Sequence, residues 1–149
     1  MVKRAKRMQS VADIAKSREK NAARLLGQKQ HFLEQQRQRL LELVSYREEY
    51  ARMFQSQGSL GLDARRLNEY RVFLEKLNLA IVQQRDRITQ AAGDCHVCQE
   101  SWMNTRIHSK ALHKVVDRFR HEEIKQQEKR EQNELDERAI QLGLSRGEE

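Results

Sequence analysis

Three observations predict an all-α fold in which two long helices form an antiparallel coiled-coil hairpin. The 149 residues contain no proline, where ordinary usage gives about 5%, so nothing breaks a helix and tight turns are few. The chain is 38% apolar and 34% charged, with one Trp, three Tyr and four Phe. It is too apolar for full disorder and too poor in bulky side chains for a thick globular core. Across residues 67–119 the apolar positions recur by threes and fours, which excludes a sandwich or barrel and predicts a coiled-coil seam.

The first helix is expected over residues 10–56, with residues 1–9 as its basic start. Its seam reads Val11, Ala15, Arg18, Ala22, Leu25, Lys29, Phe32, Gln36, Leu40, Leu43, Arg47, Tyr50 and Phe54, with one four-four step between Phe32 and Leu40. A turn over 57–63 follows. Gly58 and Gly61 can adopt left-handed backbone angles, Asp63 can cap the next helix, and Leu62 with Leu67 occupies the positions of a hydrophobic staple. The paired part of the second helix is expected over 64–120.

Its seam runs through Leu67, Tyr70, Leu74, Leu77, Ile81, Gln84, Ile88, Ala91, Cys95, Cys98, Trp102, Thr105, Ser109, Leu112, Val116 and Phe119 without a slip, and thirteen of these sixteen are apolar. A seven-residue repeat of this length imposes a left-handed supercoil. Residues 121–134 hold one apolar residue, Ile124, so 121–149 is expected to be an overhanging polar helix that frays into an acidic tail.

Folding about residue 60 pairs positions whose numbers sum to about 120. Tyr50 then meets Tyr70, Leu43 meets Leu77, Phe32 meets Ile88, Leu25 meets Cys95, and Arg18 lies on Trp102. Gln36 and Gln84 fall in one layer. A buried amide pair sets register, because a slip would leave each amide unpaired. Gly27 and Gly93 fall at one level as well, a candidate soft point.

Charge divides the chain unevenly. Residues 1–20 carry seven basic and two acidic side chains, residues 101–120 five and one, and residues 121–149 five and nine. No apolar run is long enough to cross a membrane, and the basic start leads into mixed polar sequence rather than the apolar core of a signal peptide. Cys95-His96-Val97-Cys98 has the spacing of a metal or dithiol pair. With no second pair and both thiols on the seam, packing is the expected role. The histidines form no i, i+4 pair, and no phosphate loop, nucleophile elbow or convergent carboxylate pair occurs. No enzyme, cofactor or metal is expected. A basic coiled coil that binds nucleic acid or an anionic membrane surface is the alternative.

From Tyr70 to Val82 nine of thirteen residues are apolar, more than one seam absorbs, so some must face outward as a self-association or docking patch. The chain resembles the FliJ family of the bacterial flagellar type III export apparatus. The resemblance rests on Ala22-Ala-Arg-Leu-Leu-Gly27, Tyr46-Arg-Glu-Glu-Tyr50, the glycine-bearing turn, Asn68-Glu-Tyr70 with Phe73, Leu77, Ala80 and Ile81, and Ser101-Trp102, within residues 10–120.

It implies a non-enzymatic cytoplasmic stalk, peripheral to the inner membrane, shaped like the paired helices of a rotary-ATPase shaft. The implied partners are the hexameric export ATPase and its regulator, the transmembrane export gate and the export chaperones, with no nucleic acid. The family's gate-contacting surface would fall on Leu43, Tyr46, Tyr50, Phe73, Leu77 and Ala80. Arg39 stands where that family has an uncharged amide, and Gln84 where it has a histidine. The basic residues Lys3, Arg4, Lys6, Arg7, Lys110 and Lys114 would then serve the ATPase end.

Overall fold

The computed structural model describes residues 2–58, 61 and 63–147, with side chains from Arg4 onward. Helix α1 spans Val2–Gly58 and helix α2 spans Ala64–Gly147. They pack against each other as an antiparallel coiled-coil hairpin, with no strand among the described residues. Two compact units divide it: a turn unit, residues 22–102, and a terminal unit, residues 1–21 with 103–149. Among the described residues no helix is long and apolar enough to cross a membrane.

The turn follows from two residues. Gly61 adopts φ +83°, a left-handed value that costs glycine nothing, and its N–H donates to the Gly58 carbonyl at 3.3 Å. Asp63 then caps α2, its Oδ1 accepting from the Arg66 N–H at 2.9 Å, so one of the free amides of the first turn is satisfied. Leu62, the expected partner of Leu67 in the staple, lies outside the described residues, and Leu67 is exposed.

In α2 the expected seam is the observed one: from Tyr70 to Phe119 every named position is buried or half-buried. In α1 the structure corrects the sequence expectation. The inward residues of the turn unit are Ala22, Leu26, Lys29, Leu33, Gln36, Leu40, Leu43, Arg47, Tyr50 and Phe54, and those of the terminal unit include Ala5, Met8, Ala12, Ala15 and Glu19. Both sets keep the three-four rhythm, and the four-four step does not exist. Val11, Arg18, Leu25 and Phe32 are exposed instead, Phe32 by 50%. Leu26 and Leu33 hold the seam positions expected for Leu25 and Phe32. The seam phase is set over many heptads, and a single bulky side chain cannot shift it without a local change of supercoil.

The pairing of α1 with α2 also ends where the polar run begins. Glu123 is the last part-buried residue of α2, and every residue from Ile124 to Gly147 is exposed. The helix nonetheless continues through the acidic segment to Gly147, with Arg146 in its last turn, where a cation suits the helix dipole.

A Cβ added at Gly27 or Gly93 would meet no atom within 4 Å, and both residues are helical. Gly27→Ala with Gly93→Ala should therefore stabilise the turn unit by about 1 kcal/mol each, read as a raised urea midpoint. A neutral or lower midpoint would mean that these helix levels need glycine for another reason.

Candidate functional site

The turn unit carries a run of stacked rings. Phe54 stacks on Tyr70 with centroids 3.7 Å apart, Tyr70 on Tyr50 at 5.4 Å, Tyr50 tilts against Phe73 at 4.3 Å, and Phe73 meets Tyr46 edge-on at 5.9 Å. Antiparallel helices bring these rings together because residues on one side of α1 rise by fours as those on α2 fall. Each pair adds about 0.5–1.5 kcal/mol beyond the area it covers. Arg47 ties the same level, its Nη1 donating to Asn78 Oδ1 at 3.1 Å.

Beyond the rings an open groove of about 520 Å³ lies between the helices. Leu43 and Tyr46 give it an apolar floor, Arg39 and Glu42 line it from α1, and Gln84 and Arg87 line it from α2. Beneath it Gln84 Nε2 donates to both the backbone carbonyl and the Oε1 of Gln36, each at 2.9 Å. These glutamines, Gln84 and Gln36, are 3% and 4% exposed, so the amide layer is buried and Gln84 Nε2 is committed to two acceptors on Gln36.

Of the six residues that family resemblance implies as a contact surface, ring contacts join Tyr46, Tyr50 and Phe73, and Leu43 lines the groove with Tyr46; Tyr46 is half exposed, while Leu43, Tyr50 and Phe73 are half-buried. Ala80 is half-buried. Leu77 is 7% exposed, a seam residue that holds the surface up rather than forming it. The apolar excess of 70–82 does leave residues outward: Val72, Leu79 and Val82 are exposed on α2, as is Leu41 on α1.

The terminal unit is built differently. Arg4 lays its guanidinium 4.0 Å over the Phe119 ring, a cation–π contact. Arg120 Nη2 donates to Gln9 Oε1 at 2.7 Å. Helix α1 has no acidic residue in its first turn, and Glu123 of α2 supplies one, its Oε1 accepting from the Ala5 N–H at 3.3 Å. A carboxylate there satisfies a free amide and suits the positive end of the helix dipole. Lys6, Arg7, Lys110 and Lys114 are exposed and form no ion pair among the described residues. The Lys3 side chain lies outside the described set.

Sequence reasoning missed Glu19, whose neighbour Arg18 was expected in the seam. The Glu19 side chain is 14% exposed and pairs with Lys16 Nζ at 3.3 Å, and it accepts from the hydroxyl of Ser109, itself 2% exposed. Burial raises its pKa, but the hydrogen bond and charge of Lys16, the Ser109 hydroxyl and the charge of Arg106 outweigh burial and hold it below the ordinary 4.5. A carboxylate with a depressed folded-state pKa adds stability that is fully present above 4.5 and is lost as pH falls through the folded value. Protection factors of amides in the terminal unit, taken relative to intrinsic exchange at each pH, should therefore fall below about pH 4.5 in the native chain, and Glu19→Gln should flatten that acid limb while lowering protection at neutral pH.

Cys95 and Cys98 are half-buried free thiols on the seam. Among the described residues no three His, Cys, Asp or Glu side chains gather as a metal site. His96 pairs with Glu100 at 3.0 Å, and His113 Nδ1 lies 2.7 Å from the Ser109 carbonyl.

The family model described as flagellar FliJ protein matches residues 4–148. The chain belongs to the FliJ family. The flagellar FliJ protein of Escherichia coli (strain K12) is 25% identical over 139 residues, covering 93% of this chain and 95% of that protein. That of Salmonella typhi is 25% identical over 141 residues, covering 95% and 96%. The family match reaches through both units and the helical segment beyond Glu123.

Proposed function

We propose that this FliJ-family chain is a non-enzymatic stalk and adaptor of the bacterial flagellar type III export apparatus. It promotes assembly of the hexameric export ATPase ring and links the ring, with its regulator, to the transmembrane export gate and the export chaperones, at the cytoplasmic side of the inner membrane. The observation that carries this reading is the family match over residues 4–148. Two further features support it. Paired helices with an open groove suit protein docking better than catalysis, which needs an enclosed, water-excluding site. The terminal unit displays unpaired Lys6, Arg7, Lys110 and Lys114 while the turn unit displays rings, so two unlike contact chemistries are available to two partners.

The test has two parts. Affinity purification of the chain from its own flagellated cell should bring down the export ATPase and the gate protein, and the purified chain should raise the hydrolysis rate of that ATPase. Tight binding to duplex DNA that falls steeply with salt, with no effect on the ATPase, would replace this function with the nucleic-acid one.

A further inference from the structure

The groove of the turn unit has a chemistry that its apolar floor does not explain. Arg39 and Arg87 come from opposite helices and line one groove of about 520 Å³. Both are exposed, and neither makes an ion pair or a hydrogen bond among the described residues. Arg39 has Glu42 one turn away and Arg87 has Asp86 beside it in sequence, yet neither arginine forms a salt bridge with either acid.

The floor between them is Leu43 and Tyr46, with Tyr46 half exposed. Gln84 cannot offer its N–H groups to a ligand, because both are already given to Gln36. The charged groups that line the groove are therefore two guanidinium groups, one from each helix, and the Glu42 carboxylate on the α1 side, beside an apolar floor. Guanidinium is planar and presents paired N–H donors that match a carboxylate.

We propose that Arg39 and Arg87 form a carboxylate clamp, and that the groove receives a segment of a partner protein in which an apolar side chain adjoins a glutamate or aspartate. This rests on the reading of the turn unit as a docking surface. The apolar side chain covers Leu43 and Tyr46, and the carboxylate lies between the two arginines. Glu42 repels the acid from its own side of the groove and so fixes the direction in which the segment lies. Charge and floor are both required: the floor alone gives affinity for any apolar segment, and the arginines select the acidic one.

The test uses the full chain and two blocked peptides, one with a leucine flanked by glutamates and one with glutamines in their place. The arginine Nε–Hε resonances of Arg39 and Arg87 should shift on addition of the glutamate peptide. Its affinity should exceed that of the glutamine peptide about tenfold at low salt and converge with it at high salt. Arg39→Gln with Arg87→Gln should abolish that difference. Equal affinity for the two peptides, or arginine resonances that do not move, would overturn the clamp.

A second arm separates the clamp from the docking reading. If the cytoplasmic part of the gate protein binds the Arg39→Gln, Arg87→Gln chain as tightly as the native one, while Leu43→Ala with Tyr46→Ala weakens it, docking stands and the clamp falls. If the peptides behave as expected and the gate protein does not bind, the clamp stands and the identity of the partner falls.

Discussion

Gln84→Leu will destabilise the hairpin by about 1–3 kcal/mol, and adding Gln36→Leu will restore most or all of that loss. Gln84 Nε2 is the donor that satisfies Gln36 Oε1 at 2.9 Å in a layer only 3% and 4% exposed. Removing it leaves a buried amide without its partner, the costly half of a hydrogen-bond deletion. Removing both amides leaves two apolar side chains in an apolar seam, which is neutral or favourable. The double variant should lose specificity instead. Leucine at position 36 packs against Leu77 or Ala91 as readily as against another leucine, so a one-heptad slip no longer strands a polar group. Urea midpoints measure the first effect. Spin-label distances across the turn unit measure the second, and should broaden in the double variant alone. A distribution as narrow as the native one would assign register to the ring stack of Phe54, Tyr70, Tyr50 and Phe73 rather than to the amides.

The sequence made α2 legible and half of α1 obscure, for a reason visible in the residues. Along α2 the seam positions are also the large apolar ones, Leu74, Leu77, Ile81, Ile88 and Val116, so periodicity and size agree. Toward the start of α1 they disagree. The inward residues there are Ala5, Ala12, Ala15 and Glu19, while Val11 and Ile14 face outward. A seam traced by size drifts onto the wrong residue, whereas one traced by phase from Gln36 reaches Leu33, Leu26 and Glu19.

The sum rule met a similar limit. Tyr50 with Tyr70 and Gln36 with Gln84 obey it, but Arg47 reaches Asn78, Arg4 reaches Phe119 and Glu123 reaches Ala5. Helical side chains lean toward their own N-terminus. In an antiparallel pair long side chains therefore meet partners several residues further along than the backbone register gives. The groove was illegible because Arg39 and Arg87 are 48 residues apart in the chain and become neighbours only through the hairpin.

The remaining large effect is a separation of partners between the two units. Charge reversal at Lys6, Arg7, Lys110 and Lys114 is expected to reduce stimulation of the export ATPase at least tenfold and to leave gate binding intact. Tyr46→Ala with Phe73→Ala is expected to do the opposite. The four cations are exposed and unpaired in the terminal unit, so reversing them removes long-range attraction without opening a core. Arg4 is left out of the set because its guanidinium lies on Phe119 at 4.0 Å, and its loss would loosen the helix pairing itself. Leu77 is left out of the other set for the same reason, being a seam residue 7% exposed.

Tyr46 is half exposed and touches the rest of the surface through the edge of Phe73. Truncating both rings removes an aromatic anchor of the kind that dominates binding energy. The far end of the ring run, Phe54 on Tyr70 at 3.7 Å, stays in place to hold the turn. Circular dichroism and urea midpoints establish that each variant still folds, and ATPase rate and gate affinity are then read on the same preparations. If the charge reversals abolish gate binding and spare the ATPase, the terminal unit is the gate-facing one and the assignment of partners is inverted. If either set abolishes both activities in a chain that remains folded, the two partners share a surface, and a stalk with chemically distinct docking units is the wrong description of this protein.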